Sequence, residues 1–378
     1  MMRYCVLYPK TENVHLTKDV GMIAYKLNKL YGYDAFVATY KNGEYPYLKD
    51  EVKGLKIDFI KKEHGHFKDI YLYVKKNAHI IDVLQIFHMT LNSVFYAFIY
   101  KMFNKNGIIF LKLDCTKVLV DKIKKMNMVQ RQILNVFLKR VDIIGVEKKE
   151  IFNELKSELR LHKTKLLNIS NGLDFDRGEV KLKAKFDDKE DIILSVGRIG
   201  SPEKNSKMLM DAFANIDENK LGNWKLVFVG PIEEKFEEEI DNYFKRYEYL
   251  KKKVIFKGPI YDRKELYNEY RKAKIFCLTS KFESVGIALI EAGAMGDVII
   301  STNVGIADEI VNGDNGILIE VGDISALTDG INKLIESKNL SQASYATEKF
   351  CRENYDWDII VKKLHSKIID IKENDIYE

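Results

Sequence analysis

Residues 273–305, AKIFCLTSKFESVGIALIEAGAMGDVIISTNVG, read as strand, loop, helix, strand and loop. Residues 274–278 are a short apolar run, 285–295 are rich in helix formers, and 298–300 are β-branched. The loop at 279–286 carries Glu283, and Glu291 follows eight positions later inside the helix. Eight residues of helix span at most about 12 Å, roughly the reach from sugar to ribose in a nucleotide-sugar. The helix start between the two acids offers N–H groups and the positive end of a dipole, which suits a diphosphate. Any α/β protein with two solvated glutamates would fit this stretch as well, so the rest of the chain has to decide.

Working outward, strand-like and helix-like runs alternate on both sides, the signature of a doubly wound parallel sheet. In the first half, strands are expected at 3–7, 34–39, 57–60, 80–87, 107–113, 142–146 and 165–168. Helices are expected at 21–30, 67–76, 91–103 and 148–161. Asp114 directly follows one of those strands, and ligands of open α/β sheets sit outside the carboxyl ends of strands. A helix cap or turn is the more common fate of such an aspartate. Residues 170–176, SNGLDFD, form an Asn-Gly turn, and 177–190 are dense in charge, which marks a domain boundary. The pattern then restarts at 192–196. The expected domains are 1–175, 176–355 and a closing helix at 356–378, with Trp357, Ile360, Val361 and Leu364 on its apolar face.

Several strand ends of the second half carry glycine: Gly197, Gly230 and Gly258. Glycine lets backbone approach a ligand closely. Arg198 follows the first, and Lys204 comes six residues later. Together they could neutralise a diphosphate, the arginine as a planar fork and the lysine as a point charge. The pattern is neither GxxxxGK[ST] nor GxGxxG, so it is not a P-loop or a dinucleotide fingerprint.

Composition narrows the class. The chain has 378 residues, enough for two domains with real cores, and its 46% apolar share excludes long disorder. A net charge of +5 permits an anionic ligand without demanding one, and no nucleic-acid partner is expected. No signal-peptide pattern and no membrane-length apolar run is read, so a cytoplasmic location is expected. Cys5, Cys115, Cys277 and Cys351 lie far apart with no CxxC, as for buried free thiols. No histidine pair has metal-ligand spacing. Residues 117–140 carry Lys117, Lys122, Lys124, Lys125, Arg131, Lys139 and Arg140 against the single acid Asp121. Val118, Leu119, Ile123, Met126, Ile133, Leu134, Phe137 and Leu138 interleave with them. This suits a basic amphipathic helix on an anionic membrane, at the inner face of the cell membrane, and equally a core helix with a solvated basic face.

The segments SVGRIGSPEKN, VFVGP, FKGPI, CLTSKFESVGIALIEAGAMG and the turn SNGLD, in this order and spacing, resemble the retaining GT-B glycosyltransferases of family GT4, glycosyltransferase group 1. The resemblance covers roughly residues 168–358. It implies an α/β GT-B fold: two facing Rossmann-like domains with an interdomain cleft. It implies a nucleotide-sugar donor, with uridine as the default base, and a glycan, glycolipid or protein-linked sugar acceptor in cell-surface polysaccharide biosynthesis. By the same resemblance Gly197, Arg198 and Lys204 would bind the diphosphate and Glu291 the ribose. Ile260 would lie at the base, and Glu283, with Ser284, Val285 and Gly286, at the sugar and phosphate. No cofactor and no metal would be needed, and Asp114 takes the place of a histidine common on the catalytic side. The loop after the first strand lacks the family's Gly-Gly pair, and Asp297 replaces its usual proline. A nucleotide-sugar epimerase, a phosphorylase and a non-catalytic partner subunit are the competing readings.

Overall fold

The computed structural model describes residues 1–159, 165–181, 185–313 and 315–377. The chain divides into two compact units, residues 1–172 with 357–378, and residues 173–356. Helices of at least eight residues are numbered below.

The first unit holds a seven-stranded sheet of order β3-β2-β1-β4-β5-β6-β7. Its strands are β1 (Arg3–Leu7), β2 (Asp34–Thr39), β3 (Lys56–Phe59), β4 (Val83–Phe87), β5 (Ile108–Leu113), β6 (Ile143–Val146) and β7 (Leu166–Asn168). Every pairing is parallel; Val6 faces Val37 across β1 and β2, and Leu111 faces Ile144 across β5 and β6. Strands β4, β5 and β6 are buried along their whole length, as helices on both faces require of apolar runs. The helices are α1 (Asp19–Tyr31), α2 (His66–Asn77), α3 (Leu91–Phe103), α4 (Lys117–Lys124), α5 (Met128–Leu138) and α6 (Lys149–Glu158). Glycine ends α1: Gly32 takes φ +67° and donates to Asn28 and Leu27 carbonyls. Helix α1 begins two residues before the expected start. The last two residues of the expected helix 148–161 lie outside the described residues.

The expected single helix at 117–140 is two helices. The chain breaks at 125–127, where Asn127 caps α5 by accepting from the Gln130 N–H at 2.9 Å. Ile123, Leu134, Phe137 and Leu138 are buried in the core, and Leu119 and Met126 pack against it. The face read as membrane-binding is therefore largely a core face.

The second unit holds a six-stranded parallel sheet of order β10-β9-β8-β11-β12-β13. Its strands are β8 (Glu190–Val196), β9 (Lys225–Val229), β10 (Val254–Phe256), β11 (Ala273–Leu278), β12 (Val298–Thr302) and β13 (Gly316–Ile319). The helices are α7 (Ser206–Ala214), α8 (Glu234–Arg246), α9 (Arg263–Lys272), α10 (Ile287–Ala294), α11 (Ile324–Ile335) and α12 (Leu340–Asn354). Asp297 is fully buried, and Lys189 Nζ meets it at 2.7 Å while also donating to the Ala273 carbonyl at 2.7 Å. The aspartate that departs from the family's proline thus completes a buried ion pair tying the start of β8 to the turn before β12.

The last helix, α13 (Trp357–Tyr377), belongs to the first unit. Trp357, Ile360, Val361, Leu364 and Ile368 are buried with Ile23 and Leu27 of α1, and Lys26 meets Asp358 at 2.5 Å. Among the described residues no helix is long and apolar enough to cross a membrane. All four cysteines are free and buried.

Candidate functional site

In the second unit the strand order reverses between β8 and β11, so the loops after these two strands leave the sheet in opposite directions and open a crevice at its carboxyl edge. The loop after β8 carries Gly197, Arg198 and Lys204; the loop after β11 carries Glu283 to Gly286. The sheet therefore brings the loop of Gly197, Arg198 and Lys204 beside that of Glu283 to Gly286.

The two loops are stitched to each other. Lys281 N–H donates to the Glu203 carbonyl at 2.7 Å. The Thr279 hydroxyl reaches the carbonyls of Lys204 and Asn205, both at 3.1 Å. Lys204 Nζ sits 2.5 Å from Glu283 Oε1, which also accepts from the Ser280 hydroxyl at 2.7 Å. Lys204 thus spends one of its three N–H bonds on Glu283 and keeps two for a ligand. Arg198 differs: it is exposed, and its guanidinium lies 3.6 Å from the Glu203 carboxylate.

Close backbone packing shapes the floor. Gly197 N–H donates to the Val229 carbonyl at 3.0 Å, and Gly230 N–H to the Gly258 carbonyl at 2.9 Å. A Cβ on Gly230 would stand 1.9 Å from the Gly197 carbonyl oxygen. Only glycine permits these neighbouring strand ends to meet.

Helix α10 starts at Ile287, later than expected, and Gly286 precedes it in the left-handed region at φ +82°. Glu283 therefore lies in the loop, and the run from Glu283 to Glu291 is only half helical. Ser284 is exposed, whereas Val285 and Gly286 are buried. The Val285 carbonyl accepts from Ile306 N–H at 3.0 Å, which holds the loop against the turn after β12. Ile260, after β10, is half-buried against the core. Glu291 is buried inside α10; its Oε1 accepts from Arg263 Nη2 at 3.0 Å and its Oε2 from the Tyr270 hydroxyl at 3.0 Å.

In the first unit Asp114 follows β5 and belongs to a buried knot that sequence reasoning missed. Lys112 Nζ, fully buried, meets Glu147 Oε1 at 2.8 Å, Asp114 Oδ1 at 3.1 Å and Asp19 Oδ2 at 3.3 Å. Asn171 joins the knot, donating to Glu147 Oε1 at 2.6 Å and accepting from Asp19 N–H at 3.1 Å. Burial opposes the charge on Lys112, but Glu147, Asp19 and Asp114 outweigh it and raise its pKa. Burial pushes the carboxyls of Glu147 and Asp19 up, whereas for Asp114 it is overcome by Lys112 and His88, which hold the pKa down. Oxygens of Asp19, Asp114 and Glu147 lie within 4.8 Å of one another, as metal ligands could, but the Lys112 ammonium already sits among them. The signal was a lysine inside the apolar run IIFLKL; two of its three carboxylates, Asp19 and Glu147, come from distant parts of the chain. Arg263 and Tyr270 left no comparable signal.

Residues 176–349 match the family described as Glycosyl transferases group 1. It is 30% identical over 191 residues to the amylovoran biosynthesis glycosyltransferase AmsD of Erwinia amylovora, covering 47% of this chain and 49% of that protein. It is 29% identical over 205 residues to the capsular polysaccharide biosynthesis glycosyltransferase CapM of Staphylococcus aureus, covering 52% of each. The chain spans about half the length of the curated relatives it matches. The fold is GT-B: the chain superposes on Anabaena Alr3699/HepE, whose crystal structure holds UDP and glucose, with a TM-score of 0.71 at 16% identity, over 98% of this chain and 100% of that one.

Proposed function

We propose that this protein is a glycosyltransferase that moves a sugar from a nucleoside diphosphate sugar to a glycan, glycolipid or protein-linked sugar acceptor, with retention of configuration. The observation that carries the reading is the crevice between β8 and β11, where Lys204, Arg198 and the start of α10 converge beside Glu283. Two cations and a helix N-terminus suit a diphosphate. The name of AmsD places that relative in amylovoran biosynthesis and that of CapM in capsular polysaccharide biosynthesis, and the Alr3699/HepE structure holds UDP. We extend both to this chain: a UDP-sugar donor and a cell-surface polysaccharide product.

In this reading the bond between the anomeric carbon and the diphosphate oxygen breaks as the acceptor hydroxyl forms its bond on the same face. The acceptor proton leaves on the departing diphosphate. Stabilising that diphosphate is the main demand. Arg198 offers a fork of N–H donors and Lys204 its two remaining ones. Glu283 orients the transferred sugar, Glu291 takes the ribose hydroxyls, and Ile260 packs against the base. We also assign a catalytic role to Asp114, whose carboxylate Lys112 holds. We assign no step to a metal or cofactor.

The protein works in the cytoplasm, against the inner face of the membrane. The support is the outer side of α5, where Met128, Val129 and Ile133 are 83%, 65% and 57% exposed, flanked by Lys122, Lys125 and Lys139. Binding to anionic but not neutral vesicles, lost in Ile133→Glu, is expected; equal binding to both would remove this part.

A thermal-shift panel of nucleotide-sugars tests the donor site, since a ligand held at a hundred times its Kd adds about 2.7 kcal/mol of stability. No shift with any of them would defeat the proposal. Arg198→Ala should lower turnover about a hundredfold or more, as loss of one oxyanion-type donor does. Product formed without acceptor would point to an epimerase instead.

A further inference from the structure

The buried Glu291 carboxylate is held by two donors from its own unit, one on each oxygen. Arg263, the first residue of α9, donates to Oε1, and Tyr270, on the same helix, donates to Oε2. The Arg263 guanidinium is itself braced: it donates to the Tyr267 hydroxyl and lies over the Tyr267 ring at 5.1 Å. An ionised carboxylate has about four acceptor positions, two per oxygen. The protein fills one on each oxygen and leaves one on each. A vicinal diol presents two O–H donors at the matching spacing.

We propose that Arg263 is a positioning residue that fixes Glu291 to read both ribose hydroxyls, and thereby sets a preference for ribonucleoside over 2′-deoxyribonucleoside diphosphates. This rests on the nucleotide-binding reading above. A carboxylate free to rotate could accept from a single hydroxyl as well as from two. One clamped on both oxygens holds its remaining lone pairs at fixed positions, and the loss of either hydroxyl leaves a buried acceptor unmet. Glu291 has only 9% of its side chain exposed, so water cannot readily replace the missing donor.

The test is isothermal titration of the full chain with UDP, ADP and GDP and with their 2′-deoxy counterparts. The wild-type protein should favour the best ribonucleotide over its deoxy form by roughly tenfold to a hundredfold, the cost of one unmet buried acceptor. Arg263→Gln should reduce that ratio to about threefold or less, and Arg263→Gln with Glu291→Gln should reduce it no further. Tyr270→Phe should also reduce it, and it decides the matter if Arg263→Gln does not fold. A general loss of structure would weaken both nucleotides together and leave the ratio unchanged. Binding with no ribose preference in the wild type, or a ratio unchanged in the folded variants, overturns the role of Arg263 alone. Failure of the wild type to bind any nucleoside diphosphate overturns the nucleotide site itself, and this inference with it.

Discussion

Replacing Lys204 by alanine should do more than remove one cation from the proposed diphosphate site, because it strips Glu283 of its partner. In the protein the two side chains meet at 2.5 Å with 26% and 14% of their surfaces exposed, so their charges cancel locally. The lost hydrogen bond to a phosphate costs about 1.5–3 kcal/mol. The uncovered Glu283 carboxylate then faces an incoming anion. At a separation of about 5 Å and an effective dielectric of about 20, each unit of charge adds roughly 3 kcal/mol of repulsion, less where solvent screens it. Lys204→Ala should therefore weaken UDP binding by about a thousandfold. UDP is the right probe because it carries no sugar, so any contact between Glu283 and sugar is silent. Adding Glu283→Gln to Lys204→Ala should restore about tenfold or more of the lost affinity, although turnover with a full donor stays low. Titration calorimetry on the two single variants and the double variant reads this directly. If the double variant binds UDP as weakly as the sum of the single effects, the charges are not coupled and the diphosphate does not sit beside this pair.

Three further outcomes are expected. Lys112→Met should destabilise the protein by about 3–5 kcal/mol, because three neighbouring carboxylates lose their buried cation, and denaturant melts would show it; a change below about 1 kcal/mol would mean that water reaches the knot. Gly230→Ala should both destabilise the protein and weaken UDP binding, since the added Cβ would stand 1.9 Å from the carbonyl oxygen of Gly197 at the start of the loop after β8, and unchanged calorimetry and melting would contradict the packing. Burial, only partly offset by Lys189, pushes Asp297 up to about 7 from its ordinary 3.8. A carboxyl raised on folding contributes stability that is full below its unfolded value and is lost as the pH rises through the folded one. Wild type should thus lose up to about 4 kcal/mol relative to Asp297→Asn between roughly pH 4 and 7, and a pH-independent difference between the two would refute it.

The fold class was legible because it depends on local pattern. Apolar runs such as IIFLKL and DIILSV alternate with amphipathic helices along the chain, and that alternation has few three-dimensional solutions. Gly197, Gly230 and Gly258 were legible too, since glycine at a strand end marks close backbone approach. Arg198, Lys204 and Glu283 could be named from their motifs, yet nothing local shows that Lys204 would meet Glu283 rather than solvent.

The tertiary structure decided everything that depends on pairing across many residues. Asp114 was visible at the end of its strand, but Lys112 draws in Asp19 from the start of α1 and Glu147 from the loop after β6. Asp297 looked like a departure from a family pattern, and only the fold supplies Lys189, more than a hundred positions away, to neutralise it. Helix α5 is apolar on two sides, and periodicity cannot say which side faces the core; packing buried Leu134, Phe137 and Leu138 and left Met128, Val129 and Ile133 outside. Hydrophobic period and turn chemistry are properties of neighbouring residues, so the sequence carries them openly. A buried charge finds its partner only after the chain has closed on itself, so the identity of that partner is settled in three dimensions.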